Sequence, residues 1–522
     1  MMLGSRMRLP VSMAIMVVAL AGCTGPKATK HQPISTANLI HHIEVYTAGF
    51  RNISEKYIRP LRVDKIAVGG LEGLASIDPA LQAERHNDHV RLLLEGQEIV
   101  SAKAPSMMDA RGWGKVTANF EQAARRQSKL LSSAGDEKIY EAVFDGVLAD
   151  LDVFSRYSGA AEAKRNRARR EGFGGIGIRI KIVKGKSLVM EVIDNTPAAQ
   201  TGIKVDDEIT HINNADVRNM KLRGLLNRLR GPVHSDVSVR VYRASQDHEF
   251  TFAMTREHIV PNTVTSHVDQ GVGYIKISSF NQSTAEGVAK ALGDLRRVAN
   301  NDPRGLIVDL RGNPGGLLKQ SVKVADLLLT HGHIVSTSGR HPDSLNHYEA
   351  GGRDFAEGIP IVVLVDGKSA SASEIVAAAL QDLGRAVVVG TASFGKGTVQ
   401  TVIRLPNDGE VALTWSRFIA PSGYALHGLG VWPVICTSGV SKGPRAALDR
   451  FERNKSEIRA NYVSWRQSLI DEKESRSALR QACASERRKS TVELRIAELI
   501  LSEPHLYAQA IELTSRDIQA WK

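Results

Sequence analysis

Short apolar segments alternate with longer amphipathic segments from about residue 266 to residue 390. The short segments are typical of buried strands, whereas the periodic spacing of apolar residues in the longer ones predicts helices. This alternation predicts an α/β core built on a largely parallel sheet. In chain order the segments are VGYIKISSF, STAEGVAKALGDLRRVA, RGLIVDL, LLKQSVKVADLLL, IPIVVLVD, SASASEIVAAALQD and RAVVVG.

The regions on either side of this core have other patterns. Helical periodicity dominates residues 35–171, where we expect a long polar helical insertion between Gly70 and Asp145. Residues 172–256 contain short β-type runs and one helical run, MKLRGLLNRLR, which predict a small β-rich module. The core then occupies residues 257–440, and residues 441–522 form a charged helical extension. The sequence thus predicts a multidomain α/β protein with an inserted β module and helical N- and C-terminal regions.

The chain begins with a pattern typical of a bacterial signal peptide. Arg6 and Arg8 precede the apolar run VSMAIMVVALAG, which is too short to span a bilayer as a helix. The run ends in LAGC, which resembles the lipobox of bacterial lipoproteins. We therefore expect residues 1–22 to be removed and Cys23 to carry a lipid. A buried N-terminal helix with an incidental cysteine is the alternative.

A polar linker, residues 23–34, follows this segment. Its Thr24 and Gly25 do not resemble an inner-membrane retention signal, which favours a periplasm-facing lipoprotein of the outer membrane. The chain has three cysteines, so Cys436 and Cys483 remain once Cys23 is lipidated. An oxidising compartment permits these two to pair, but two unpaired buried thiols would have the same sequence pattern.

The chain of 522 residues has a formal net charge of +12 at pH 7. Its basic residues are dispersed, with local runs such as KRNRARRE and ERRK. A solvated helix face or an anionic membrane surface accounts for such runs as well as nucleic acid does. We therefore expect no nucleic-acid partner.

Two glycine-rich stretches match nucleotide-binding patterns only in part. GFGGIG, residues 172–177, has the G-x-G-x-x-G spacing, but a helix precedes it and a strand follows, the reverse of a dinucleotide-binding turn. GTASFGKG, residues 390–397, places Gly397 where a phosphate loop needs a magnesium-binding hydroxyl, and a strand follows. The sequence therefore argues against nucleotide binding at both stretches.

Ser371, in the segment SASASEIVAAALQD, has two interpretations. Its spacing to Glu374 is that of a capping box, so it can be no more than a helix N-cap. Ser283 and Glu286 have the same spacing, which predicts the start of another helix. Alternatively, Ser371 is a nucleophile, because unsatisfied N–H groups at a helix start can hold an oxyanion. Lys396 lies between two glycines that allow burial of its amine, and a buried lysine can accept a proton near neutral pH.

Five segments of the chain stand in a characteristic order and spacing: GYIKISSF, DLRGNPGG, SASASEIVAAALQD, RAVVVG and FGKGTVQ. This pattern resembles that of the carboxyl-terminal processing, or tail-specific, serine peptidases. The likeness covers roughly residues 136–433. The resemblance implies that Ser371 is the nucleophile, that Lys396 is the general base, and that Gln400 orients the lysine. It also implies a crotonase-like α/β fold for the core and neither a metal nor a cofactor.

The stretch DLRGNPGG, residues 309–316, follows a strand. Its glycines allow backbone N–H groups to face a ligand, although a simple strand-to-helix turn has the same pattern. The resemblance implies an oxyanion hole formed by the N–H groups of Ala372 and of one glycine of the pair Gly315 and Gly316.

The β-rich module resembles a PDZ domain. The resemblance makes Gly174, Gly175, Ile176 and Gly177 a carboxylate-binding loop, whose N–H groups receive the terminal carboxylate of a peptide that pairs as an added strand. The run MKLRGLLNRLR would form the other wall of the groove. A β module used only for packing is the alternative.

Some segments depart from the family pattern. LDVFSRY, which begins at Leu151, lacks the Pro-His usual in the family's LDPHSxY segment, and GVWPV lacks the usual Asp after Pro433. The N-terminal insertion and the C-terminal helices also exceed the common pattern. These departures bear on gating, assembly and partners rather than on the chemistry.

The leading hypothesis is a serine endopeptidase of the bacterial envelope. It binds exposed apolar C-terminal tails through the PDZ domain and cleaves through a Ser–Lys acyl-enzyme mechanism, with an adaptor protein or a second copy of the chain as further candidate partners. A non-catalytic PDZ scaffold on a protease fold is the alternative from another class. A P-loop NTPase is a more distant one.

Overall fold

The computed structural model describes residues 36–299, 303–487 and 491–515 of the chain. The predicted signal peptide, Cys23 and the linker lie outside the described residues. No helix within these ranges is both long and apolar enough to cross a membrane.

The N-terminal region packs its helices around a core that includes the fully buried side chains of Tyr46, Trp113 and Phe144. Its helices are α1 (Thr36–Lys56), α2 (Val63–Glu72), α3 (Ala110–Gln127), α4 (Lys129–Ser133), α5 (Asp136–Leu148) and α6 (Ala160–Arg170), and its strands are β1 (Leu81–His86), β2 (His89–Leu94), β3 (Gln97–Lys103) and β4 (Arg156–Ser158).

The expectation of one long helical insertion between Gly70 and Asp145 was wrong in its first half. Strands β1, β2 and β3 form an antiparallel sheet there, and helices resume only at α3. The turn between β2 and β3 explains the difference, because Glu95 and Gly96 both have positive φ, at 53° and 78°. Positive φ at both central residues is the geometry of a tight two-residue hairpin, which breaks a helix.

Residues 173–259 form the β-rich module, and its five main strands follow the order β11-β10-β8-β7-β6 around an apolar core that includes Val189, Ile209 and Leu225. Strands β5 and β12, where the chain enters and leaves the module, pair with each other. The elements are β5 (Phe173–Gly175), β6 (Ile178–Val183), β7 (Lys186–Val192), α7 (Pro197–Thr201), β8 (Glu208–Ile212), β9 (Ala215–Asp216), α8 (Leu222–Leu229), β10 (Asp236–Arg243), β11 (His248–Thr255) and β12 (Glu257–Ile259).

A central six-stranded sheet forms the α/β core in the order β13-β14-β15-β18-β19-β22, and every pairing after the first is parallel. The predicted largely parallel sheet is therefore confirmed. Its elements are β13 (Val264–Asp269), β14 (Val272–Ile277), α9 (Thr284–Val298), β15 (Gly305–Asp309), α10 (Leu318–Asp326), β18 (Ile361–Val365), α11 (Ala372–Asp382), β19 (Val387–Gly390) and β22 (Ile435–Cys436).

Helix α9 begins at Thr284, as the spacing of Ser283 and Glu286 predicts, but the predicted cap is absent. The Ser283 hydroxyl donates to Asn281 Oδ1 at 3.1 Å, and the side chain makes no cap hydrogen bond to the helix. The local loop therefore competes successfully for this hydroxyl.

A second sheet has the order β17-β16-β21-β20, and β4 of the N-terminal region pairs with β21 at its side. This sheet connects the N-terminal region to the segment that follows Lys396. Its strands are β16 (His333–Gly339), β17 (Asn346–Glu349), β20 (Thr398–Arg404) and β21 (Glu410–Ile419).

The C-terminal extension is helical, as predicted, and it packs back onto the core. Ile496 and Ile500 lie in the same buried cluster as Val362 of the central sheet. A disulfide joins Cys436, at the end of β22, to Cys483. The helices are α12 (Pro444–Arg453), α13 (Lys455–Gln467), α14 (Lys473–Gln481), α15 (Val492–Ser502) and α16 (Pro504–Ser515).

Candidate active site

Ser371 lies where the loop after β18 meets the start of α11, and its side chain is partly exposed. Its neighbours Ser369 and Ser373 are fully buried. The Ser369 hydroxyl donates to the Leu310 carbonyl at 2.9 Å, and the Ser373 hydroxyl donates to the Asn313 carbonyl at 3.0 Å. Of these three serines, Ser371 is therefore the one accessible to a substrate.

The backbone of Ser371 has φ 56° and ψ −112°, a conformation that residues other than glycine rarely adopt. Glu374 supplies its half of the capping box that the spacing predicts, because its carboxylate accepts the Ser371 N–H at 2.7 Å. Strain of this kind persists only where surrounding bonds hold it, and it is concentrated at functional sites.

Glu374 is a buried carboxylate that collects four donors. Besides the N–H of Ser371, it accepts the N–H groups of Gly395 at 2.6 Å and Lys396 at 2.9 Å, together with the Ser393 hydroxyl. Burial raises the pKa of Glu374, and the donated hydrogen bonds oppose that increase. One carboxylate thus holds the start of α11 against the loop of Lys396.

The loop of Lys396 joins β19 to β20, so it leads into a strand and not a helix, as expected. Gly397 allows close packing here, because a Cβ at that position would lie 1.9 Å from the backbone nitrogen of His427. The Lys396 amine lies 5.1 Å from the centre of the Phe154 ring. The side chain is accordingly enclosed and not extended into solvent.

The surroundings of Lys396 lower the pKa of its amine. Burial lowers the pKa of the amine, and the nearby charge of Arg156 lowers it further, whereas Glu374 and Asp152 oppose the decrease. Sequence reasoning missed Asp152, Phe154 and Arg156, although all three lie in LDVFSRY, the segment that departs from the family pattern. A lysine with a lowered pKa can act as a general base.

No hydrogen bond between Ser371 Oγ and Lys396 Nζ occurs in the described parts of the chain. The structure therefore brings the two backbones to one carboxylate without joining the two side chains. A direct proton transfer between the two side chains needs a hydrogen bond that this conformation lacks.

Three N–H groups at the site were candidates for an oxyanion hole. The Gly315 N–H already donates to Asn313 Oδ1 at 2.8 Å. Within the described chain, the N–H groups of Gly316 and Ala372 donate to no protein acceptor. The backbone at Gly315 lies close to the start of α11, because a Cβ on Gly315 would lie 3.0 Å from Ala372 N. Of the glycine pair, Gly316 is the one with a free donor.

Gln400 does not contact the lysine as a hydrogen-bond partner in the described residues. Its amide donates to Thr398 Oγ1 at 3.0 Å and to Thr414 Oγ1 at 3.4 Å. The Thr414 hydroxyl in turn donates to Asp152 at 3.0 Å. Gln400 is therefore connected to Lys396 only through the side chains that surround the amine.

The candidate carboxylate-binding loop runs from β5 to β6. The Gly174 carbonyl accepts the Gly231 N–H at 3.1 Å, and the carbonyls of Ile176 and Gly177 accept N–H groups at 2.9 Å each. In the part of the chain that the structure describes, the N–H groups of Ile176 and Gly177 have no protein acceptor. Two adjacent donors thus remain available at this loop, and the stretch 172–177 leads into a strand as expected.

Comparison with known proteins gives two family matches and a group of relatives. Residues 271–436 match the model of peptidase family S41, and residues 174–253 match that of the PDZ domain. The carboxy-terminal-processing protease of Bartonella bacilliformis is 34% identical over 347 residues, which are 66% of this chain and 80% of the relative. The carboxy-terminal processing protease CtpB of Bacillus subtilis is 32% identical over 355 residues, or 66% of this chain and 72% of the relative. The carboxyl-terminal-processing protease of a Picosynechococcus species is 32% identical over 364 residues, covering 68% and 84% of the two chains.

Proposed function

Because the chain belongs to the carboxyl-terminal processing proteases of peptidase family S41 and contains a PDZ domain, we propose that it is an endopeptidase with Ser371 as nucleophile and Lys396 as general base. The observation that carries this assignment is the Glu374 carboxylate, which accepts the backbone N–H groups of both residues. The exposure of Ser371 and the lowered pKa of Lys396 support it.

The first half of the reaction forms an acyl-enzyme. Neutral Lys396 takes the proton from Ser371 Oγ while that oxygen attacks the carbonyl carbon of the scissile peptide bond. The carbonyl oxygen becomes an oxyanion, which the N–H groups of Ala372 and Gly316 stabilise. The ammonium of Lys396 then gives its proton to the leaving nitrogen as the C–N bond breaks.

The second half releases the other product. Water attacks the ester between Ser371 and the acyl fragment, and Lys396 again accepts a proton. Collapse of the tetrahedral intermediate returns that proton to Ser371 and frees a new C-terminal carboxylate. The cycle uses only groups of this chain, the substrate and water.

Protein tails that end in apolar residues are the proposed substrates. Strand β6 is the last in its sheet, so an added peptide strand can pair with it. The partly buried side chains of Ile178, Leu222 and Leu226 offer apolar contact along β6 and α8. The free N–H groups of Ile176 and Gly177 lie at the end of that edge, where the terminal carboxylate would arrive.

The bacterial cell envelope is the proposed location, with a lipid on Cys23 as the anchor to the outer membrane. The LAGC motif carries this proposal. A Cys23→Ser protein should be released from membranes by a salt wash that leaves the wild-type protein bound. If the variant remained fully membrane-bound, the lipid would not be the anchor.

A fluorophosphonate probe tests the catalytic assignment. It should label Ser371 in the wild-type protein and should label neither the Ser371→Ala nor the Lys396→Arg protein. A second experiment compares the envelope proteomes of wild-type and Ser371→Ala cells for uncleaved C-termini. A non-catalytic PDZ scaffold would bind tails without reacting with the probe. The Ser371→Ala protein, which should bind without cutting, also allows capture of an adaptor protein or a second copy of the chain.

A further inference from the structure

The C-terminal extension lies against the loop of the proposed general base. We call residues 476–486 the clamp segment; they comprise the end of α14 and the residues that follow it. Arg480, on the last turn of α14, is partly buried and directs its guanidinium to the core. Burial lowers the pKa of Arg480, and the Glu374 carboxylate opposes that decrease, which places this cation within electrostatic range of the site.

The Arg480 guanidinium bridges two loops. Its Nη2 donates to the Ser393 carbonyl at 2.9 Å, and its Nη1 donates to the Leu429 carbonyl. A Cβ at either Gly395 or Gly430 would lie 3.2 Å from Nη1, so the guanidinium fills the space between these two glycines. Hydrogen bonds from a cation to two carbonyls fix both distance and direction.

Ser393 connects this bridge to the catalytic residues. Its hydroxyl donates to Glu374 and accepts the Val431 N–H at 2.8 Å, while the Gly395 carbonyl accepts the Gly428 N–H at 2.9 Å. Glu374 also holds the Lys396 N–H. Movement of the Ser393 carbonyl would therefore be transmitted to the lysine.

Covalent and backbone bonds hold the clamp segment in place. Cys483, three residues after Arg480, is linked to Cys436 of the central sheet. The Glu486 N–H donates to Thr391 at 3.1 Å, and its carbonyl accepts the Gly367 N–H at 2.7 Å. The segment is thus fixed to the loops that follow both β18 and β19.

We propose that Arg480 is a positioning residue for the general base, and that the Cys436–Cys483 disulfide keeps Arg480 in place. This inference rests on the proposed function of Ser371 and Lys396. The clamp holds the loop 393–397 against the core, so that the Lys396 amine stays enclosed. Release of the clamp admits water to Lys396, raises the pKa of its amine and displaces it from the serine.

Arg480→Ala tests the proposal, with Lys473→Ala as the matched control. Lys473 is an exposed cation on the same helix. In the full chain acting on a peptide with a free apolar C-terminus, Arg480→Ala should lower kcat by about 10- to 100-fold. KM should change little, because the tail binds to the PDZ domain. The rising limb of the pH–rate profile should move to higher pH, and Lys473→Ala should match the wild type in all three quantities.

Arg480→Lys separates geometry from charge. Lysine keeps the positive charge but lacks the planar fork that reaches two carbonyls at once. It should restore only part of kcat and only part of the shift in the pH profile. Full recovery in the lysine variant would show that charge alone matters and would overturn the positioning role.

Reduction of the disulfide supplies a second test that leaves Arg480 intact. Dithiothreitol converts Cys436 and Cys483 to two thiols while its own thiols become a cyclic disulfide. Treatment should lower kcat and shift the pH profile as Arg480→Ala does. A Cys436→Ser/Cys483→Ser protein should have these properties from the start and should not respond to dithiothreitol.

Two further results, both with Arg480→Ala, would overturn the proposal. One is a folded Arg480→Ala protein with the kcat and pH profile of the wild type. The other is a loss of thermal stability with unchanged kcat per folded molecule and an unchanged pH profile, which would indicate a purely structural role. Should Arg480→Ala fail to fold, the disulfide variant and dithiothreitol decide by the same criteria. An inactive Lys396→Arg protein beside a fully active Arg480→Ala protein would reject the clamp and retain the proposed function.

Discussion

The backbone N–H groups of Ser371 and Lys396 donate to the same carboxylate oxygen, Oε2 of Glu374, at 2.7 and 2.9 Å. The two residues come from loops after different strands, and the sheet alone does not fix their separation. Glu374 therefore serves as a common reference point for the proposed nucleophile and base. Its complete burial keeps water from competing for these bonds.

Glu374→Gln should lower kcat by about 10- to 100-fold in a folded protein. The amide keeps the shape of the carboxylate, but one of its two ends becomes a donor that faces N–H or O–H groups. Steady-state kinetics together with thermal unfolding will measure the effect. An unchanged kcat would mean that Glu374 only caps the helix.

Ser371→Ala should abolish cleavage, with a decrease in kcat of about 10⁴-fold or more, because the attacking oxygen is removed. Ser369→Ala should retain turnover but lose about 1–3 kcal/mol of unfolding free energy, since it leaves buried hydrogen-bonding groups unpaired. Peptide cleavage and denaturant unfolding separate the two effects. Wild-type cleavage by Ser371→Ala would refute the nucleophile.

Ser371→Gly should be inactive and more stable than Ser371→Ala by about 1–3 kcal/mol, because glycine adopts the observed positive φ without strain. The comparison uses thermal or denaturant unfolding of the two variants. Equal stabilities would indicate that the backbone at this position is not strained in solution.

Lys396→Arg should fold and be inactive, because arginine keeps the charge but cannot become a neutral base. In the wild-type protein, kcat/KM should rise with pH through the pKa of Lys396 and then level off, since the neutral amine is the active form. Burial lowers that pKa, so the rising limb of the pH–rate profile should lie at a pH below the usual pKa range of a lysine. A flat profile would remove Lys396 from the role of base.

Arg156→Gln should move the rising limb of the kcat/KM profile to higher pH, because the positive charge of Arg156 lowers the pKa of Lys396. The side chain is exposed, so the shift should be largest at low ionic strength and shrink as salt is added. Arg165→Gln, which removes an exposed cation from α6, is the control. Identical limbs for both variants at low salt would contradict the electrostatic contribution of Arg156.

Gly175→Val should raise KM for peptides with a free C-terminal carboxylate more than it lowers kcat. A Cβ at Gly175 would lie 2.8 Å from the Phe173 ring, so either the ring or the proposed carboxylate-binding loop must shift. Matched peptides with amidated C-termini serve as controls and should be poor substrates for both proteins. Equal wild-type cleavage of amidated and free-acid peptides would exclude carboxylate recognition by the loop.

Local signals predicted much of the fold and part of the site. The parallel core follows from the alternation of strand and helix patterns, and the start of α11 follows from the spacing of Ser371 and Glu374. The short polar strands β1 and β3 lack a clear apolar alternation, and the two-residue turns Asn87-Asp88 and Glu95-Gly96 are the signals of the two hairpins. Turn chemistry was the available signal there.

Most of the remaining features depend on contacts between residues distant in sequence, but one depends on a local signal that was missed. The hydrogen bond from the Gly315 N–H to Asn313 Oδ1 is local. The Asn-Pro-Gly sequence could have predicted it, since an asparagine side chain often accepts the N–H two residues ahead. In contrast, no local pattern places Arg156 near Lys396, or Arg480 over Ser393. These contacts arise only when the N-terminal strand β4 and the C-terminal helix α14 pack on the core.

The position of Cys483 near the end of the chain also sets an order of events in time. If the chain is exported N-terminus first, as its predicted signal peptide implies, Ser371 and Lys396 reach the oxidising side before Cys483, because Cys483 follows both in the sequence. On the clamp proposal, the base reaches its working position only after the last helices have crossed and the disulfide has formed. On the same proposal, incompletely exported chains would be poor proteases, and premature cleavage of the emerging chain and its neighbours would be reduced.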